Sequence, residues 1–350
     1  MTRRNKRKAV LVLFLVVLFA LPGMMLFAGG QKGEQPDQGA AKVYKIRLHH
    51  GGPENDPTHY TAVKFKELAE EYSEGRLAID IFPNLQLGTE AESLQVLRLG
   101  DIEMYIPYIG NLTPVAPSSG VLMLPYIWKS RDEMKRTVDA VYDDLNERII
   151  KESGTRLLAV CPYAYRVLAN SVRPVETIED IRGLKVRVSK SNIPILAFKA
   201  WGVNPTPLAW GEVFTALQQK VIEGIENPYT VLVSTKFYEV TKYVTEIHYL
   251  LESKPIMMGE KYYQSLPPDL QSVVKKAADE TREYIADQFE NKWVAEAKET
   301  LVEKGMVLLG PPKDEDEWER LARSVYPQFY DSMGGKEWVE KFIEVKDSVN

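Results

Sequence analysis

From Val43 to Leu48 apolar and polar residues alternate, the period of a half-buried strand. Between Thr58 and Ser73 the pattern changes. Ala62, Phe65, Leu68, Ala69 and Tyr72 recur at helical spacing, and Gly75 stops the run. Leu77, Ile79 and Ile81 mark a second strand. Thr89 with Glu92 reads as a capping box, Leu94 and Leu97 follow it, and Gly100 ends that helix. Ile102 to Ile106 predicts a third strand, which makes the order βαβαβ. Asn111 to Pro125 contains Pro114, Pro117 and Pro125 and predicts a connecting loop. Ser130 and Glu133 open a helix that runs to Gly154, and Thr155 to Cys161 is a buried strand placed to cross between domains.

A second α/β set follows: a strand at Lys185–Val188, a helix near Ile193–Ala200, a helix at Trp210–Gln219 and a strand at Val221–Ile225. Val244–Leu251 and Lys254–Met258 read as strands returning to the first domain. Pro267 and Pro268 open a polar helical run to Lys304, stopped by Gly305. At 1.5 Å per residue it would extend roughly 50 Å, enough to brace both domains. The stretch from Asp314 onward is helical and aromatic-rich, with Trp318, Tyr326, Phe329, Tyr330, Trp338 and Phe342. Alternating strands and helices predict an α/β fold. No repeat of short period is present.

The N-terminus changes the picture of where this chain works. Arg3, Arg4, Lys6, Arg7 and Lys8 precede an apolar run from Ala9 to Leu21, and small residues follow at Ala28-Gly29-Gly30. That order describes a signal peptide over residues 1–28, cleaved near Ala28, with a disordered leader over 29–42. An uncleaved membrane anchor is the alternative reading. No cysteine follows the apolar run, which argues against a lipoprotein anchor. Without those five charges the 44 basic residues become 39, against 49 acidic, a net charge near −10. Such a surface argues against nucleic acid as a partner. The single cysteine, Cys161, excludes an intramolecular disulfide and ends an apolar run, so it reads as a buried thiol.

The usual catalytic signatures are missing. No glycine-rich phosphate loop, dinucleotide fingerprint or Gly-x-Ser-x-Gly elbow occurs. His49 and His50 are adjacent, so on a strand they face opposite sides and do not share a metal. His59 stands at a helix start, where it can shape a cleft. No cofactor and no resident metal are expected. What remains is a set suited to a small anion. Arg187 sits in Gly183-Leu184-Lys185-Val186-Arg187-Val188, and Asn227 in Glu223-Gly224-Ile225-Glu226-Asn227-Pro228, where a strand meets a proline. Arg166 follows Tyr163-Ala164-Tyr165, and Trp210 precedes a helix. A lone arginine in a strand more often makes a structural ion pair. Two at strand ends, with Asn227 at a third, favour a carboxylate site, since a guanidinium holds both oxygens at once. Ligands of open α/β sheets lie beyond the carboxyl ends of the strands.

These segments carry a resemblance. Phe82-Pro83-Asn84-Leu85-Gln86-Leu87-Gly88 with Glu90, Arg166 with Asn170, the Gly183–Val188 stretch and Gly202-Val203-Asn204-Pro205-Thr206-Pro207 come first. Trp210-Gly211-Glu212-Val213-Phe214-Thr215-Ala216-Leu217-Gln218, Glu223–Pro228, Lys236-Phe237-Tyr238-Glu239-Val240 and His248 complete it. In order and spacing, over residues 43–345, the chain resembles the extracytoplasmic solute-binding proteins of TRAP (tripartite ATP-independent periplasmic) transporters. The resemblance implies a two-lobed periplasmic-binding-protein clamshell with crossing strands and a long lobe-spanning helix. Lobe I would hold residues 43–163 and 253–292, lobe II 164–252 and 293–350. It further implies that Arg187 binds a carboxylate, that Arg166 is a second pocket arginine taking another oxygen cluster, and that Asn227 donates to the ligand. Trp210 would pack on its carbon skeleton, while Glu90 and Tyr108 occupy first-lobe positions that vary with the ligand. The chain departs from the family pattern at Lys220, Glu223 and Ile225. Members that bind through a metal carry tryptophan where this chain has Asn227, so direct arginine recognition is expected.

The function implied is periplasmic capture of a small organic acid, dicarboxylates included, by a monomer that closes on it and delivers it to membrane permease subunits. The chain would not be an enzyme. A ligand-sensing module that signals to a sensor kinase is the alternative, and it would use the same pocket.

Overall fold

The computed structural model describes residues 42–349. The expected signal peptide, and the leader up to residue 41, lie outside the described residues. The chain opens with β1 (Tyr44–His50), α1 (Pro57–Tyr72), β2 (Leu77–Phe82), α2 (Glu90–Leu99) and β3 (Met104–Ile106). β2 and β3 flank β1 in parallel, as the βαβαβ order requires. Asp56 caps α1 by accepting from the Thr58 amide. Thr89 and Glu92 form the expected capping box, and Gly100 ends α2 in the left-handed region at φ 85°.

The stretch from Asn111 to Pro125 is not an open loop. It folds into α3 (Ile109–Leu112) and a 3-10 turn at Pro117–Met123. Val121, Leu122, Met123 and Leu124 are the reason: all four are buried in the core, and apolar side chains outweigh the punctuating prolines. α4 (Arg131–Ser153) follows, capped by Ser130 as expected, and leads through Gly154 into β4 (Thr155–Tyr165). Cys161 is buried there, as its apolar setting predicts.

β5 (Val167–Asn170) begins after a single residue, Arg166, yet belongs to a different sheet. Then come α5 (Ile178–Ile181), β6 (Val186–Val188), α6 (Asn192–Ala200), β7 (Thr206–Pro207), α7 (Val213–Gln218), β8 (Gly224–Asn227), α8 (Tyr229–Ser234) and β9 (Tyr243–Thr245). β8 lies further along than the pattern at Val221–Ile225 suggested. Val221 is exposed, and pairing with β5 and β6 starts only at Gly224. The expected strand Val244–Leu251 is likewise cut short. After Thr245 the chain leaves the sheet, with His248 at φ 40°, and pairs again as β10 (Leu251–Gly259) in the first sheet.

α9 (Glu260–Ser265) leads to α10 (Pro268–Gln288). A π turn at Phe289–Trp293 joins it to α11 (Val294–Glu303), so the long helix of the sequence is present with one widened turn. α10 packs on α1 and β4, while α11 packs on α8. β11 (Val307–Leu308), α12 (Glu315–Arg323) and α13 (Lys336–Ser348) end the chain. α12 packs on α6 and α13 on α4, with Trp318, Trp338 and Phe342 buried.

The strand orders are β2-β1-β3-β10-β4 and β11-β9-β5-β8-β6-β7. Three connections therefore pass between the sheets: β4 to β5, β9 to β10, and the long helix at its π turn. Segments that cross this way are where two bodies can hinge, because a few residues absorb the change in φ and ψ.

Candidate ligand-binding site

The two sheets face each other across a cavity of about 60 Å³. A water centre needs roughly 10–15 Å³, so there is room for several waters or for part of a small acid. Arg187, Arg166, Asn227, Trp210, Glu90 and Tyr108 all line it. The first-sheet elements bring Glu90 at the start of α2, Tyr108 just beyond β3, and Asp56 at the cap of α1. The second-sheet elements bring Arg187 from β6, Asn227 from the end of β8, and Trp210 from the turn before α7.

Arg187 is the residue whose position is hardest to explain without a ligand. It pairs across the sheet with Thr206 and Ile225, and its side chain is only 4% exposed. Nε and Nη2 donate to the Leu208 carbonyl at 3.1 and 2.7 Å. Among the described residues no carboxylate lies within ion-pair distance of it. Burial holds its pKa below the usual arginine value, and the charge of Glu226 offsets this only in part. A buried cation without an anion is costly, and a guanidinium does not escape by losing its proton. The Trp210 ring lies 5.7 Å from its central carbon.

Arg166 is buried equally well but is fully engaged. It forms ion pairs with Glu226 and Glu252, donates to the Glu226 carbonyl at 2.6 Å, and reaches Asn227 Oδ1 at 3.1 Å. Desolvation opposes its charge, yet Glu226, Tyr108 and Glu252 outweigh that and raise its pKa. The register explains the cluster. Val167 stands opposite Asn227, and Tyr165 opposite Leu251, so the residue between them falls beside both acids.

This grip fixes the Asn227 amide. Its oxygen faces Arg166, so its Nδ2 is turned elsewhere, buried and without a protein partner. Ser189 Oγ and Tyr108 Oη are also buried and unpartnered, and both residues line the cavity. Buried polar atoms are seldom left unpaired, so three around one cavity, beside Arg187, describe a place prepared for oxygen atoms. Burial pushes the Tyr108 phenol up, so it is neutral and can donate.

Ser189, Asp56, Asn111 and Lys254 line the cavity without having been singled out in the sequence. Ser189 was readable: it stands two residues after Arg187, on the same side of an extended segment. Asp56 was readable as a cap before Pro57. Its Oδ1 accepts from the Thr58 amide and hydroxyl at 2.8 and 2.6 Å, and its Oδ2 from Ser234 at 2.8 Å, tying α1 to α8. Among the histidines, His50 Nε2 lies 3.1 Å from His59 Nδ1. Burial, with the charge of His59, pushes His50 down to about 3. Among the described residues no cluster of three His, Cys, Asp or Glu could hold a metal ion.

A family model described as bacterial extracellular solute-binding protein, family 7, matches residues 48–333. A TRAP periplasmic solute-binding protein from Rhodobacter sphaeroides, solved without ligand in an open form, is 47% identical. It covers 88% of this chain and 100% of its own, with a TM-score of 0.77. The chain belongs to the TRAP solute-binding proteins. Two further relatives show the range of cargo within that family. The Roseobacter denitrificans TRAP protein solved with L-galactonate is 28% identical, over 84% of this chain and 99% of its own, with a TM-score of 0.76. The C4-dicarboxylate-binding protein of Bacillus subtilis is 26% identical over 90% of both chains. TRAP solute-binding proteins work outside the cytoplasmic membrane, share a two-lobed α/β fold, and deliver captured solute to a membrane permease.

Proposed function

We propose that this TRAP protein captures a small organic acid in the cavity between its sheets and holds it by one carboxylate on Arg187. The observation that carries the reading is a buried guanidinium with no acid partner among the described residues, beside three unpartnered polar atoms. Arg187 forms a two-pronged pair with the carboxylate, and Asn227 Nδ2 and Ser189 Oγ donate to it. Trp210 packs on the carbon skeleton. Tyr108 and Glu90 meet the rest of the molecule. Arg166 contributes indirectly, by orienting the Asn227 amide. The protein binds without turnover, as a monomer, after export and cleavage near Ala28 to the periplasm.

In this reading lobe I comprises 43–163 and 253–292, and lobe II 164–252 and 293–350, with α13 reaching back onto α4. The lobes close on the acid about the three crossings. Asp56–Ser234 and the contact of Thr113 with Ser191 at 3.4 Å join elements on opposite sides of the cavity, as a closed state requires. Small-angle scattering tests this. The ligand, identified by native mass spectrometry of protein purified without refolding, is expected to lower the radius of gyration at saturation. Identical curves with and without ligand would contradict lobe closure.

A further inference from the structure

Relatives of this chain include a protein solved with a sugar acid and a C4-dicarboxylate-binding protein, and the charges around the cavity distinguish those two kinds of ligand. We infer that the cavity selects a monocarboxylate whose far end donates hydrogen bonds, and that Glu90 turns away a second carboxylate. The inference rests on the reading of Arg187 as the carboxylate anchor.

Four of the charged groups compensate one another. Arg166 pairs with Glu226 and Glu252, and Lys254 Nζ lies 3.5 Å from Glu252 Oε1. Two cations and two carboxylates make a neutral block at the crossing between the sheets. Outside it stand one cation, Arg187, and two acids, Asp56 and Glu90. Neither acid has a cation in ion-pair distance among the described residues. Asp56 is occupied by Thr58 and Ser234. Glu90 is not: its Oε1 accepts from Asn111 Nδ2 at 2.7 Å, and its other oxygen has no hydrogen-bond partner among the described residues. The N-terminus of α2 offsets the Glu90 charge, since Glu90 is the first residue of that helix.

The two walls therefore differ in chemistry. Second-sheet elements present donors: the Arg187 guanidinium, Asn227 Nδ2 and Ser189 Oγ. First-sheet elements present the free oxygen of Glu90, an acceptor, beside the Tyr108 hydroxyl, which can give or take a hydrogen bond. A ligand carboxylate satisfies Arg187 and uses up the unmatched positive charge. A second carboxylate would then meet Glu90 and Asp56, and like charges between the two protein walls repel more than in open water. A hydroxyl or an ammonium at that end would instead donate to Glu90. Both are donors, so the cavity chemistry admits either.

L-galactonate and galactarate make the test sharp, because they differ only in one terminal group, CH₂OH against carboxylate. Calorimetry on the full mature protein should show L-galactonate binding at least about tenfold more tightly than galactarate. Glu90→Gln should narrow that ratio severalfold or more, by improving galactarate. 6-Amino-6-deoxy-L-galactonate, which changes only the terminal hydroxyl to an ammonium, supplies the other donor: if it outbinds L-galactonate the favoured group is an ammonium, and if it binds more weakly the favoured group is a hydroxyl. Galactarate binding as tightly as L-galactonate to wild type would overturn the inference, and an unchanged ratio in Glu90→Gln would remove Glu90 from it. Arg187→Lys separates this from its premise. Loss of all three ligands upholds the anchor, whereas retained binding removes the anchor whatever the ratios show.

Discussion

Arg187→Ala is expected to abolish acid binding while leaving the fold intact or slightly more stable. The two effects have one cause. In the free protein the guanidinium is buried, its only acceptor among the described residues is the Leu208 carbonyl, and burial works against its charge. Removing it relieves that cost. In the complex it supplies charge-assisted hydrogen bonds, each contributing roughly 1.5–3 kcal/mol net, and its loss also strands the ligand carboxylate in a dry site. Arg187→Lys keeps the charge but loses the planar fork, so it should weaken binding by at least about tenfold, or 1.4 kcal/mol. Calorimetry reads the affinities and thermal unfolding of the ligand-free protein reads the stability. Binding by Arg187→Lys within about twofold of wild type would make Arg187 structural.

Arg166→Met should do the reverse and act on the fold first. Glu226 and Glu252 are almost wholly inaccessible and would lose the cation they share. Breaking a buried pair by removing one partner costs about 3–5 kcal/mol. Here one arginine serves two acids, so the loss should stand at the upper end. Denaturant unfolding of ligand-free protein measures it. Glu226 also accepts from the Tyr249 hydroxyl at 2.9 Å, so part of the cluster persists and a folded but less stable protein is expected. Stability equal to wild type would mean the cluster is not what holds the crossing between the sheets. Two buried arginines in one cavity thus differ in what each does for the empty protein.

That difference was not legible in the sequence. Arg166 and Arg187 both read as cations at strand ends, and both were expected on ligand oxygens. The partners that occupy Arg166 lie 60 and 86 residues further along, and only the strand register brings them together. Local patterns fared better where one period ran long. The face of α1, the extent of α4, the caps at Thr89 and Ser130, and the parallel trio β1, β2 and β3 were all readable. Short strands were not. β5 has four residues and follows β4 after one, too short a run for periodicity to mark, and it went unpredicted. The π turn at Phe289–Trp293 was also hidden, since the composition there stays helical. The resemblance supplied what periodicity lacked, the clamshell and the grouping of Arg187, Asn227 and Trp210. It did not distinguish an arginine without an acid partner among the described residues from a fully paired one.

A crystal structure of the complex shows whether Arg187 anchors the carboxylate of the captured acid. Both carboxylate oxygens are expected within hydrogen-bond distance of the Arg187 guanidinium, one of them also near Asn227 Nδ2, with Arg166 still held by Glu226 and Glu252. A ligand carboxylate seated elsewhere, with Arg187 bonded to Leu208 alone, would contradict that anchoring.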